Sequence, residues 1–334
     1  MCDRRLAQIP FTRPAYPLVC KSHVMTGSAA EALGPATTVE VADGVHAFVQ
    51  PDGSWWINNA GFVVGPDDVI AIDASSTQRR TQALLDVIAT TTGRTARTLV
   101  NTHHHGDHTN GNCLFTDAVV LGHRNCRAGV LAQSIGGLES IFGDVAWGEL
   151  TIRPPQVVFD HRLDLYAGER PVELHYIGTP AHTTGDVVAW LPQERVLFAG
   201  DLVFNGGTPF VLMGSVAGAI EALDVVRRFD AATIVPGHGP VCGPEVIDTV
   251  ERYLRLVQRV ATDAVASGVS PLDAARETDL GEFAGLHDAE RIVGNLHRGM
   301  AELTGAPRGG QIDILAAFTD MLTWNGGGPL RCLA

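Results

Sequence analysis

Four side chains able to hold a metal fall within six consecutive residues: His103, His105, Asp107 and His108. The run before them, Thr98-Leu99-Val100, is apolar and β-branched and reads as the end of a buried strand. Imidazole and carboxylate are ligands that first-row divalent metals accept. Successive side chains of an extended segment alternate in direction, so His103 and His105 can share one metal while His104 points away from both. Asp107 and His108 lie beyond Gly106 and can turn towards a second. With no Lys or Arg inside the run, a solvated surface loop is a poor account of it.

The 334-residue chain is long enough for one large core or two modest ones. Its formal net charge of −13 disfavours nucleic acid and anionic membrane surfaces, which need clustered Lys and Arg. The six cysteines form no C-x-x-C pair and no regular spacing, so neither a zinc ribbon nor a disulfide framework is expected. No apolar run approaches the length of a membrane span, and Pro10, Arg13, Pro14 and Pro17 break up the beginning of the sequence. The expectation is a cytoplasmic protein with reduced thiols.

Residues 1–37 lack periodicity and read as an extended arm. Alternating segments at 38–41 and 45–49, then 55–64 and 69–72, predict strands. Residues 77–92 predict an amphipathic helix stopped by Gly93, and 118–121 with 125–133 predict a second strand and helix. The irregular stretch 134–155 is expected as a packed surface loop or as a flap or pocket wall. Strands are predicted at 156–159, 172–177, 187–191, 195–198 and 232–235, with a helix at 215–228. Two strand-rich halves with flanking helices imply an α/β fold, a four-layer αββα sandwich. From Pro244 the spacing becomes helical at 246–266, from Pro271, at 288–304 and at 311–322. The expected organisation is an arm (1–37), a catalytic domain (38–243) and an α-helical C-terminal extension (244–334). That extension either covers its own pocket or packs against a second subunit, so a homo-oligomer stays open.

Three more polar stations occur where strands give way to loops: Thr179-Pro180-Ala181-His182-Thr183-Thr184-Gly185-Asp186, Phe198-Ala199-Gly200-Asp201 and Pro236-Gly237-His238-Gly239. Together with H-x-H-x-D-H, this order resembles the metallo-β-lactamase-fold metallohydrolase superfamily, and most of all its glyoxalase II, lactonase and subclass-three lactamase-like branches. The resemblance covers roughly residues 40–245. It implies His103, His105 and His182 on a first metal, Asp107, His108 and His238 on a second, and Asp201 bridging both. An aspartate at the bridging position is usual in the glyoxalase II and lactonase branches and not in dedicated lactamases.

The activity so implied is a dinuclear metal-dependent hydrolase. Two divalent ions, Zn2+ or else Fe or Mn, lower the pKa of a shared water towards about 7. The hydroxide attacks the carbonyl of a small-molecule ester, thioester, lactone or amide, with Asp107 as the catalytic proton carrier. Asp73 and Thr183 are candidates for orienting the imidazoles. Phe204, Asn205, Phe210, Met213, Trp55 and Trp56 are candidates for the pocket, with one of the two tryptophans expected to alternate outward. Arg291, Asn295 and Arg298 share a helical face, expected to be solvated rather than turned to an anionic substrate. The alternatives are a mononuclear iron oxygenase of the persulfide dioxygenase type on the same fold, or a β-lactamase. No residues are assigned to substrate binding.

Overall fold

The structure, a computed structural model, describes residues 33–334. The arm expected over residues 1–37 falls almost wholly outside them.

The first sheet has seven strands in sequential order. β1 (Thr37–Ala42), β2 (Val45–Val49), β3 (Ala60–Val64) and β4 (Val69–Ile72) form an antiparallel meander. Helix α1 (Gln78–Thr92) then crosses to β5 (Thr98–Asn101), which runs parallel to β4. The short helix α2 (Gly106–Thr109) follows, then β6 (Val119–His123) and α3 (Arg124–Ala132). After α4 (Glu139–Phe142), β7 (Val157–Phe159) closes the edge. The second sheet, in the order β12-β11-β10-β9-β8, contains β8 (Arg162–Ala167), β9 (Arg170–Tyr176), β10 (Val187–Leu191), β11 (Val196–Phe204) and β12 (Thr233–His238). Between the last two lies α5 (Val216–Arg228). Helices α6 (Glu245–Ser267), α7 (Pro271–Glu277), α8 (Arg291–Leu303) and α9 (Ile314–Trp324) follow.

Period-two alternation sorts the apolar side chains into three cores, and three cores separate four layers. Ile70 and Ile72 of β4 meet Phe198 and Val196 of β11 between the sheets. Val69 and Ala71, facing the other way, pack with Leu84 and Ile88 of α1. Leu197 and Ala199 of β11 pack with Leu223 of α5, Leu254 of α6 and Leu296 of α8. Strands covered on both faces read as continuous apolar runs, as β4, β10 and the first half of β11 do. The fold is therefore the expected αββα sandwich with added C-terminal helices. No described helix is long and apolar enough to cross a membrane.

Local chemistry sets the helix ends. Thr77 caps α1 by accepting from the Arg80 amide, and Gly93 stops it at φ 69°. Ser215 caps α5, and Ser270 caps α7 with Pro271 in its first turn.

Three expectations need correction. β8 was not foreseen, because Arg162, Asp164 and Tyr166 face outward on an edge strand and dilute its apolar signal. The strand expected from Trp55 starts only at Ala60: Trp56 has φ 66°, which breaks the alternation and leaves both indoles on the same cleft. The face carrying Arg291, Asn295 and Arg298 is not solvated; all three are at most 2% exposed.

Candidate metal centre

The candidate ligands stand where strands end and the chain turns over the rim of both sheets. β5 delivers His103 and His105, and α2 immediately presents Asp107 and His108. His182 lies in the loop before β10. Asp201 sits within β11, where the pairing with β12 slips between Gly200 and Phe204. That irregularity turns its carboxylate inward while the strand continues, which is why β11 runs past the expected end at residue 198. His238 closes β12. A Cβ on Gly237 would overlap Asp201 Oδ1, so only glycine lets the carboxylate lie there.

These residues gather into two donor sets. His103, His105, His182 and Asp201 each offer an atom within 4.8 Å of the others, as do Asp107, His108 and His238. Asp201 reaches both sets: its Oδ1 is 3.0 Å from His108 Nε2, and its Oδ2 is 3.2 Å from His182 Nε2 and 3.3 Å from His238 Nε2. Asp107 Oδ2 is 3.2 Å from His238 Nε2. His104 belongs to neither set; burial pushes its pKa down to about 4.

The ring nitrogens facing away from the centre decide the tautomers. His108 Nδ1 donates to Asp73 Oδ2 at 2.8 Å, His238 Nδ1 to the Gly53 carbonyl at 3.1 Å, and His182 Nδ1 to the Phe210 carbonyl. Carboxylate and carbonyl oxygens can only accept, so in the neutral form that binds metal each of these rings keeps its proton on Nδ1 and turns the Nε2 lone pair inward. Thr102 gives its own hydroxyl proton to Asp73 and can accept from His103 Nδ1 at 3.1 Å. His105 is reversed: its Nε2 meets Met213 Sδ at 3.2 Å and its Nδ1 faces inward, 2.7 Å from His182 Nε2.

The donor set fits divalent cations. His103 Nε2, His108 Nε2 and Asp201 Oδ1 are buried without hydrogen-bond geometry to any protein partner, and all three point at the shared centre. Burial, reinforced by neighbouring imidazoles, holds His103 and His105 well below the usual histidine range, the neutral form that binds metal. Burial also opposes the charging of His108 and His238, but the carboxylates outweigh it. Asp201, Asp73 and Asp107 raise His108 well above its ordinary value, and Asp201 and Asp107 raise His238 to about 9. Asp201 itself, against the cost of its burial, is held well below the carboxylate range by His238, His108 and His182.

Asp73, expected to orient an imidazole, does so. Thr183 does not: its amide and hydroxyl both serve the Asp186 carboxylate. Met213, expected as a pocket residue, also contacts His105, and that contact carries no sequence signal. The same holds for the Gly53 and Phe210 carbonyls, because backbone acceptors leave no trace in side-chain identity.

A cleft of about 450 Å³ opens over the centre, lined by Trp55, Trp56, Phe204, Phe210 and Met213 among others. Asn205 lies outside it and donates to the Pro240 carbonyl. Leu138 and Phe142, from the irregular stretch 134–155, form a wall, and Trp147 packs edge-on against Trp56 at 4.7 Å. Arg291, Ile314 and Phe318 from α8 and α9 complete the cleft.

Residues 53–238 match the family model described as the metallo-beta-lactamase superfamily. The chain belongs to this superfamily. The chain is 35% identical over 81 residues to a beta-lactamase-like protein 2 homolog of Caenorhabditis elegans, covering 24% of this chain and 26% of that one. It is 31% identical over 151 residues to a hydroxyacylglutathione hydrolase of Thermosynechococcus vestitus, covering 43% and 49%. The matches thus span only a quarter to a half of these relatives. A metallo-beta-lactamase from Pontibacter korlensis shares the fold at a TM-score of 0.54 and 21% identity, covering 66% of this chain and 99% of that one.

Proposed function

We propose that this superfamily member is a dinuclear metal-dependent hydrolase acting on the carbonyl of a small-molecule ester, thioester, lactone or amide. The observation that carries the reading is Asp201, whose carboxylate reaches both donor sets, with Oδ1 beside His108 and Oδ2 beside both His182 and His238. His103, His105 and His182 would hold one cation and Asp107, His108 and His238 the other, with Asp201 between them; zinc, iron and manganese all suit these donors. Such a pair supplies Lewis acidity and an activated water near neutral pH.

The chain's own residues do the rest. Asp107 lines the cleft and is the group placed to take a proton at its carboxylate and return it to the leaving group. The aromatic walls keep bulk water away from the carbonyl. The oxygenase alternative would use one iron with two histidines and a carboxylate; the second donor set counts against it.

Elemental analysis of protein purified without added metal tests the reading. About two divalent ions per chain are expected, and Asp201→Ala should lose both metal and hydrolysis. A single iron per chain with oxygen-dependent turnover would replace the hydrolase by the oxygenase.

A further inference from the structure

Away from the candidate ligands the cleft wall is mostly apolar and aromatic, and its one guanidinium already has a carboxylate partner. Trp55 packs edge-on against Phe210 at 5.0 Å and tilted against Phe142 at 5.3 Å. Phe318 of α9 stands 6.1 Å from Phe142 and 6.3 Å from Trp55, so the C-terminal helices close the aromatic wall. Outside the candidate metal centre and His104, Arg291 is the one basic side chain lining it among the described residues. Its guanidinium is paired with Asp288 at 2.8 Å, donates to the Thr208 carbonyl at 3.0 Å and stacks 4.1 Å over the Trp55 ring. Beside it, Glu290 accepts from Trp55 Nε1 at 2.7 Å, adding a further negative charge. The chain's single lysine, Lys21, lies outside the described residues.

A substrate carrying two carboxylates would bring them into this wall with no free cation from the described residues to meet them, and burying an unpaired charge is strongly unfavourable. An apolar group, in contrast, gains from every contact, and the volume lies in the range of small-molecule sites. We infer that the cleft takes an uncharged ester or lactone whose acyl or aryl group is apolar, and that α9 is a specificity element for that group. The inference rests on the hydrolase reading for its reacting bond, and on the cleft alone for its selectivity.

The test uses the full-length, metal-loaded protein with 4-nitrophenyl acetate, 4-nitrophenyl hexanoate and S-lactoylglutathione. Each buried methylene contributes up to about fourfold, so kcat/KM for the hexanoate should exceed that for the acetate by roughly tenfold or more. The glutathione thioester, which carries two carboxylates, should fall below both. Phe318→Ala should reduce the hexanoate-to-acetate ratio at least about threefold. Ile314→Gln, at a half-buried position of the same helix, should act in the same direction should the Phe318 variant fail to fold. A ratio near one, a preference for the glutathione thioester, or a folded variant that lowers both esters equally would overturn the inference.

Should none of the three be hydrolysed, the ester and thioester part of the hydrolase reading fails and the cleft is read by binding alone. Quenching of tryptophan fluorescence by 4-phenylbutanol should then saturate about tenfold below the concentration needed for S-hexylglutathione. Equal affinities, the reverse order, or saturation by neither would remove the inference as well.

Discussion

The Sδ of Met213 lies 3.2 Å from Nε2 of His105, making it the one thioether among the partners of the five inward-facing imidazoles. Sulfur is a weak acceptor, yet it is the one hydrogen-bond partner of His105 Nε2 among the described residues. Met213→Leu keeps the volume and removes the acceptor. Metal affinity should fall at the low end of the roughly 10–100-fold seen when such partners are lost, while the circular dichroism spectrum stays unchanged. Met213→Gln, which offers a carbonyl oxygen, should recover part of it. Competition against a chromophoric chelator reads both, and an unaltered affinity in Met213→Leu would remove Met213 from the positioning of His105.

Asp73 makes the opposite case, a strong acceptor serving three donors. It takes the Thr102 amide at 2.7 Å, the Thr102 hydroxyl at 2.7 Å and His108 Nδ1 at 2.8 Å. Its φ of 59° lies in the left-handed region that Asn also tolerates, so Asp73→Asn leaves the backbone alone. The new amide would point N–H against N–H at His108 and favour the wrong tautomer. We expect the site of Asp107, His108 and His238 to empty first, giving about one metal per chain by elemental analysis after gel filtration. Retention of two would show that His108 does not depend on this carboxylate.

The candidate ligands were legible because chemistry concentrates them: four in six residues, then three stations, each at a strand end. The sandwich was legible because β4, β10 and the first half of β11 are apolar on both faces. What could not be read was the meaning of polarity inside the tail. Arg291, Asn295 and Arg298 share one face of α8, and charge at helical spacing ordinarily marks solvent. Here the face is buried because it serves the backbone of the loop after β11. Arg291 donates to the Thr208 carbonyl, Asn295 to the Pro209 carbonyl and Arg298 to the Leu212 carbonyl, while the Val211 amide donates to Asn295. Backbone acceptors more than eighty residues away have no signature in the sequence. The tryptophan pair departs from alternation for a related reason, since a positive φ at a non-glycine residue leaves no mark in the sequence pattern.

That clamp makes Asn295 a link between the tail and the centre. The loop it grips carries Phe210, whose carbonyl accepts from His182, and leads to Met213. Asn295→Ala strands the Val211 amide and the Pro209 carbonyl, each buried group costing about 1–3 kcal/mol. Urea unfolding should show a loss of that order. It should also show a smaller stabilisation by bound metal than the unaltered protein gains, because the ligand positions loosen together with the loop. A variant destabilised equally with and without metal would uncouple the clamp from the centre.

Glu302, in the last turn of α8, places a carboxyl against the start of α5. Burial raises its pKa above the ordinary value, opposed in part by the Ser215 hydroxyl, the Ala217 and Val216 amides and Arg298. A carboxyl raised in the folded state binds its proton more tightly there than in the unfolded chain. Its contribution to stability is therefore present below the ordinary carboxylate pKa and is lost as pH rises through the raised value. Glu302→Gln, permanently uncharged, should be more stable than the unaltered protein at about pH 7.5, with the difference shrinking as pH falls towards the ordinary glutamate value of 4.5. Urea midpoints of both proteins measured across that range test the sign, and because metal loss in acid affects both alike, their difference isolates Glu302. A difference that is constant with pH, or that grows in acid, would mean that the proton on Glu302 plays no part in the packing of α8 against α5.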